Sequence, residues 1–259
     1  MEIVLAFIFF LIGISFGSFF NVVADRVPQR KSIVSPPSHC FQCGRALKSK
    51  DLVPVFSYII LKGRCRYCGA GIPLRSMLVE LTTGLLFVLA WAVLGPHWQL
   101  LVVVTYMSIL IILSITDLES GFFPGAILYS AVILALAITL VKTFTGLTPD
   151  IISAVIGFAV GFGFFFLIWC IARLFKKEII GFGDVVLGGL IGIMTGFPLV
   201  IAAIYLAVLG GGLTAIVLVI FKIRKLTEPI SFGLFLAMGA TVTLLWGGEI
   251  SKLISLLVN

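Results

Sequence analysis

The chain has 259 residues, 61% of them hydrophobic and 11% charged, against about half and roughly a quarter in ordinary soluble domains. So little charge cannot cover a water-soluble globule of this length, which excludes a soluble enzyme, a disordered chain and a secreted disulfide scaffold and leaves a polytopic membrane protein. The net charge of +7 does not imply nucleic acid: ten of the eighteen Lys and Arg residues fall between Arg26 and Arg75, and the rest sit in short clusters beside apolar runs, as membrane anchoring requires.

A helix needs about 20 apolar residues to cross the hydrocarbon core. Eight runs are candidates: 3–23, 76–94, 100–116, 124–141, 151–174, 184–195, 198–221 and 231–247. The expected fold is all-α, with about eight transmembrane helices. Only Glu2 precedes the first run and no small-x-small cleavage site follows it, so it reads as a retained anchor rather than a secretion signal. The sixth run is short and holds Gly188, Gly189 and Gly192, with Gly196 just beyond it; it is expected to tilt, or to be flanked by backbone buried within protein. Residues 248–259 are too short to span and are expected along the outer interface. The pairs Gly13/Gly17, Gly157/Gly161 and Gly192/Gly196 have the spacing of close helix packing.

Eight spans put loops 24–75, 117–123, 173–183 and 222–230 on one side, holding ten, none, three and three of the basic residues, while the other side holds only Lys142 and Lys252. Basic residues favour the cytosolic side, so those loops are expected in the cytosol and both termini outside.

The long loop carries Cys40-Phe41-Gln42-Cys43 and Cys65-Arg66-Tyr67-Cys68, 21 residues apart. Two such turns complete a tetrahedral four-thiolate site for Zn2+. In the cytosol stable disulfides are disfavoured, and a closed four-sulfur site leaves no open position for water, so the metal is expected to be structural. Gly44 and Gly69 follow the pairs and suit a tight knuckle. Cys170 reads as an apolar core residue, and His39 and His97 as lone histidines.

Ionisable groups in membrane spans each need a reason. Asp117 ends the third span and Asp184 begins the sixth, 67 positions later, which places both at one membrane depth. They read either as an aspartyl dyad, in which one carboxyl takes a proton from water while the other polarises a carbonyl, or as interfacial caps. Gly181 and Gly183 leave room for a close approach of backbone. Glu80, a turn into the second span, either reaches the interface or Arg75, or contacts a cationic cofactor or amine. Glu119 reads as a solvated loop acid.

Taken in order, these residues resemble the type IV prepilin peptidases, bifunctional membrane leader peptidases and N-methyltransferases. The resemblance rests on Gly17-Ser18-Phe19-Phe20-Asn21-Val22-Val23 with Arg26-Val27-Pro28, the paired cysteines with Val53-Pro54-Val55-Phe56-Ser57-Tyr58 between them, and Gly63-Arg64. It continues through Ile72-Pro73-Leu74-Arg75, Val79-Glu80, Asp117-Leu118-Glu119, Gly181-Phe182-Gly183-Asp184 and Pro229-Ile230-Ser231-Phe232-Gly233. It departs at Val186, where the family commonly has Lys, and at Phe123-Pro124-Gly125, where Ile-Pro-Asn/Asp is usual.

The resemblance implies an aspartic endopeptidase of the bacterial inner membrane with Asp117 and Asp184 catalytic. It would cut type IV prepilins or pseudopilins after a Gly at the cytosolic face, then methylate the new N-terminus with S-adenosylmethionine. It implies a first helix (1–23), a zinc-ribbon-like, methyltransferase-associated domain (24–75) and a transmembrane peptidase domain (76–259). Gly63 and Glu80 are its candidates for contact with the methyl donor. A peptidase that has lost methylation, a presenilin-like protease and a transporter or zinc-regulated scaffold are the competing readings. The late helices lack the Pro-Ala-Leu motif of presenilins.

Overall fold

The computed structural model describes residues 2–176, 180–221 and 231–258. Lys177, Lys222, Arg224 and Lys225 of the basic clusters, and Pro229 and Ile230 of the last motif, lie outside the described residues. The described chain is helical, with no strand among the described residues. Among the described residues, seven helices are long and apolar enough to cross a membrane. The eighth expected span, Phe182–Thr195, is apolar but has only 14 residues. The chain divides into two compact units, Met1–Val104 and Thr105–Asn259.

In the first unit α1 (Glu2–Arg26) packs along its length on α3 (Leu74–Leu94). The sequence alone groups α3 with the later spans; small residues bring it onto α1 instead. A Cβ on Gly13 would lie 2.7 Å from Gly84 Cα, and one on Gly17 would lie 2.7 Å from Glu80 Cα. Such backbone contact is how helices associate when lipid supplies no hydrophobic drive between them. Between α1 and α3 the chain forms a lobe with two cysteine knuckles, a 3₁₀ turn (Ser49–Asp51) and the short helix α2 (Phe56–Ile60). Phe7, Phe16 and Leu85 stay exposed on the long helices, as a lipid-facing surface allows.

Helix α4 (Trp98–Ser120) contains the boundary between the units. The second unit continues with α5 (Gly125–Phe144), α6 (Ile151–Leu174), α7 (Phe182–Thr195), α8 (Leu199–Ile220) and α9 (Phe232–Val258). Helix α7 is its centre, touching α5, α6, α8 and α9, and every residue from Leu187 to Thr195 is buried. Its glycines make this possible. Gly188 and Gly192 lie backbone to backbone against Gly161 and Gly157 of α6. Residues 248–258, read from sequence as a separate interfacial stretch, instead continue α9, which bends at Trp246 (φ −114°, ψ 25°).

Candidate functional site

Both predicted acids lie in the second unit. Asp117 is in the last turn of α4 and 6% exposed. Its Oδ2 accepts the backbone N–H of Gly233, in the first turn of α9, at 3.0 Å, and the Ser231 hydroxyl donates to its main-chain oxygen at 3.4 Å. Asp184 is in the first turn of α7, and its Oδ2 accepts the N–H of Gly181 at 3.1 Å. Each carboxylate thus sits at a helix N-terminus, where unpaired N–H groups favour negative charge. The capping geometry weighed from sequence for Asp184 is present, and it coexists with a second feature: the two carboxylates lie within electrostatic reach of one another.

Phe123, in the turn after α4, holds this arrangement together. Its ring fills the space beside two glycines: a Cβ on Gly183 would lie 2.6 Å from it, and one on Gly233 would lie 2.5 Å from it and 2.7 Å from Asp117 Oδ2. Gly183 therefore acts by admitting the Phe123 ring. Sequence reasoning gave no role to Gly233, Ser231 or Phe123. The signal was available in the Ser231-Phe232-Gly233 motif, but nothing local says that it folds onto Asp117. Phe182 stacks edge-on to Trp169 of α6 at 5.6 Å, and the Arg173 guanidinium lies over that indole at 4.9 Å. Val186 is half-buried just past the first turn of α7, and Glu119 is exposed.

In the first unit the sulfurs of Cys40, Cys43, Cys65 and Cys68 all lie within 4.8 Å of one another, with Cys40 and Cys68 3.7 Å apart. Tetrahedral zinc with Zn–S near 2.3 Å would space its sulfurs about 3.8 Å apart. The knuckles repeat the same bonds. Gly44 N–H donates to Cys40 O at 2.8 Å and Cys40 N–H to Arg45 O at 3.0 Å; Gly69 N–H donates to Cys65 O at 2.9 Å and Cys65 N–H to Ala70 O at 2.7 Å. Gly44 (φ +68°) and Gly69 (φ +74°) occupy the left-handed region that such turns need. The N–H groups of Cys43 and Gln42 hold the Cys40 thiol down to about 6. Cys68 is pushed up to about 12: the Ala70 N–H pulls it down, but burial and the other three sulfurs outweigh that pull. Four thiolates this close require a cation, and the set fits a divalent metal. His39 stands outside the cluster, its Nδ1 3.1 Å from Pro37 O.

Asp51, 9% exposed, ties the second knuckle to the 3₁₀ turn. It accepts from Arg66 Nε at 2.6 Å and from the Tyr67 hydroxyl at 2.8 Å. Arg66 holds its carboxyl below the usual range, and Asp51 in turn pushes the Tyr67 phenol up. Arg75, the partner considered for Glu80, pairs with Asp25 at 2.8 Å. Glu80 Oε2 accepts the N–H of Val55 at 2.7 Å. Val55 has φ +62° and ψ −53°, and the Phe56 N–H reaches back to Pro54 O at 2.6 Å, a strained γ-turn. Gly63 (φ +67°) lies behind Tyr58, where a Cβ would come within 2.9 Å of the phenol oxygen. Tyr58 and Glu80 line one cavity, and Gly63 shapes it only through Tyr58.

The family model of the bacterial peptidase A24 N-terminal domain matches residues 11–94, and that of the type IV leader peptidase family matches residues 104–220. The chain is 34% identical over 227 residues to a prepilin leader peptidase/N-methyltransferase of Burkholderia pseudomallei, covering 86% of this chain and 71% of that one. It is 30% identical to the protein of that name from Bacillus subtilis (94% and 95% covered), and 29% to that from Aeromonas salmonicida (94% and 91%). No solved structure matches.

Proposed function

Because the chain belongs to the type IV leader peptidase family, we propose that it is an intramembrane aspartic endopeptidase that removes the leader of type IV prepilins or pseudopilins after a Gly, and then N-methylates the new N-terminal residue. The feature that supports this reading is that Asp117 and Asp184, each on the N-terminal N–H of a helix, come within electrostatic reach of one another. Brought into contact around a substrate, two such carboxyls share one proton. The ionised one takes a proton from water as its oxygen adds to the scissile carbonyl, and the neutral one gives its proton to that oxygen. Collapse of the tetrahedral intermediate breaks the C–N bond, and a carboxyl delivers a proton to the departing amine. The dyad titrates as a unit, with neither Asp assigned as the base.

The four cysteines would hold structural Zn2+, which stabilises a lobe too small to bury a core of its own. S-adenosylmethionine would supply the methyl group. The count of basic residues supports an inner-membrane protein with the four-cysteine loop in the cytosol and both termini outside. The helix of a prepilin lying in the bilayer would present its leader junction at a fixed depth, the depth at which membrane spans begin and end. Domain roles follow: the first unit serves methylation, and the second serves cleavage.

The test incubates the purified chain with a prepilin and S-adenosylmethionine and weighs the product. The expected product lacks the leader and carries one added methyl group. Intact prepilin would end the peptidase reading. A cleaved but unmodified N-terminus would end the methyltransferase reading alone.

A further inference from the structure

A cavity of about 780 Å³ lies in the first unit, where the C-terminal end of α1 and the start of α3 meet the four-cysteine lobe; ligand-burying pockets run about 300–1,000 Å³. Three carboxylates line it. Asp25 and Asp51 are each paired with an arginine. Glu80, 8% exposed, has no ion pair among the described residues: its Oε2 accepts the neutral N–H of Val55 at 2.7 Å. Beside it on the same wall is Asn21, 7% exposed. The Asn21 Nδ2 donates to Gly17 O at 3.2 Å and Ser76 O at 3.1 Å, which fixes the amide, and its Oδ1 is buried with no donor among the described residues. A buried acceptor without a donor calls for a partner, and a buried anion contacting only neutral donors calls for a cation. The outer lining carries Arg26 and Lys31, bonded to the neutral oxygens of Ser32 and Gln29. The cavity therefore has an electron-rich buried wall and a cationic rim.

We propose that this cavity seats the methyl donor, with Glu80 and Asn21 Oδ1 facing the sulfonium and Arg26 and Lys31 receiving the amino-acid carboxylate; this rests on the methyltransferase reading above. A sulfonium polarises the C–H bonds around it, so it suits an acceptor that lacks an N–H or O–H donor. In the transfer the amine lone pair attacks the methyl carbon. The N–C bond forms as C–S breaks, the electron pair stays on sulfur, and the ammonium product releases a proton to solvent. The spent donor is a neutral thioether. Glu80 thus holds the charged donor and loses its hold on the product, which favours exchange.

The test measures binding to the purified full-length chain by equilibrium dialysis, with S-adenosylmethionine, S-adenosylhomocysteine and sinefungin, whose ammonium group replaces the sulfonium. On the wild type the two cationic ligands bind roughly tenfold or more tightly than the thioether, the scale of one charge-assisted contact. Glu80→Gln, which keeps an acceptor for Val55, removes most of that preference while leaving thioether affinity within about threefold. Asn21→Leu acts in the same direction with a smaller effect. Thermal unfolding shows that each variant is folded. Equal binding of all three ligands by the wild type overturns the assignment without recourse to a variant. An unchanged preference in folded Glu80→Gln overturns it while leaving the methyltransferase reading standing. A wild type that binds no ligand and methylates no pilin overturns both.

Discussion

The four-thiol lobe and the two-acid site both gather residues far apart in sequence, but they are built differently. Each cysteine pair is placed by its own half-dozen residues: a CxxC turn, a glycine in the left-handed region, and two backbone bonds that close the knuckle. Only the meeting of the two knuckles needs tertiary structure, and Asp51 contributes to it through Arg66 and Tyr67. Asp117 has no such local device. It is held by the N–H of a glycine 116 residues away, in space that exists because Gly183 and Gly233 lack side chains where Phe123 enters. A ligand set on local turns tolerates movement of its surroundings. A pair of acids on separate helices depends on the fit between them.

The largest effect is expected from the acids. Asp117→Asn or Asp184→Asn lowers leader removal by at least the 10²–10⁴-fold or so that a positioned acid or base contributes, read from prepilin cleavage by the purified variant. Normal processing by either variant would break the account. Next is Gly233→Ala. The added methyl group meets Phe123 and Asp117 at distances no Cβ tolerates, so the cost is about 1–3 kcal/mol of overpacking and a roughly tenfold or greater fall in leader removal as Asp117 shifts. Wild-type cleavage there would show that the helices yield more readily than proposed.

Cys40→Ser sharpens the contrast from the other side. Elemental analysis should give about one zinc per wild-type chain and little in the variant, while circular dichroism reports the helices of both as alike. A wild type without zinc and with reactive thiols would defeat the metal reading. The smallest effect concerns Asp51. Its folded pKa is depressed, so its contribution is present above the ordinary carboxylate value and is lost as pH falls through the folded one. Proteolytic sensitivity of the lobe should therefore rise below about pH 4, whereas Asp51→Asn should be sensitive already at neutral pH, with little dependence on acid. An identical pH profile for both would remove Asp51 from the lobe's stability.

Hydropathy located the spans because a bilayer imposes a length and a polarity on whatever crosses it. The CxxC pairs were legible for a similar reason: their geometry is local. The small-residue spacings signalled close helix packing without naming the partners; the structure places Gly13 and Gly17 against α3, and Gly157, Gly161 and Gly192 in the α6–α7 seam. The sequence also singled out Asp117, Asp184, Gly63 and Glu80, but it could not say what each touches. Arg75 chose Asp25 over Glu80, Gly63 proved to act through Tyr58, and α3 went with α1. Those outcomes follow from which helices lie side by side, which depends on the summed contacts of entire faces. By itself the sequence determined the all-helical membrane architecture, the paired-cysteine turns and the candidate acids. Tertiary structure alone decided that a glycine near the C-terminus would hold the first acid and that a buried glutamate and an orphaned amide oxygen would share one cavity, because partners across space leave no periodic trace along the chain.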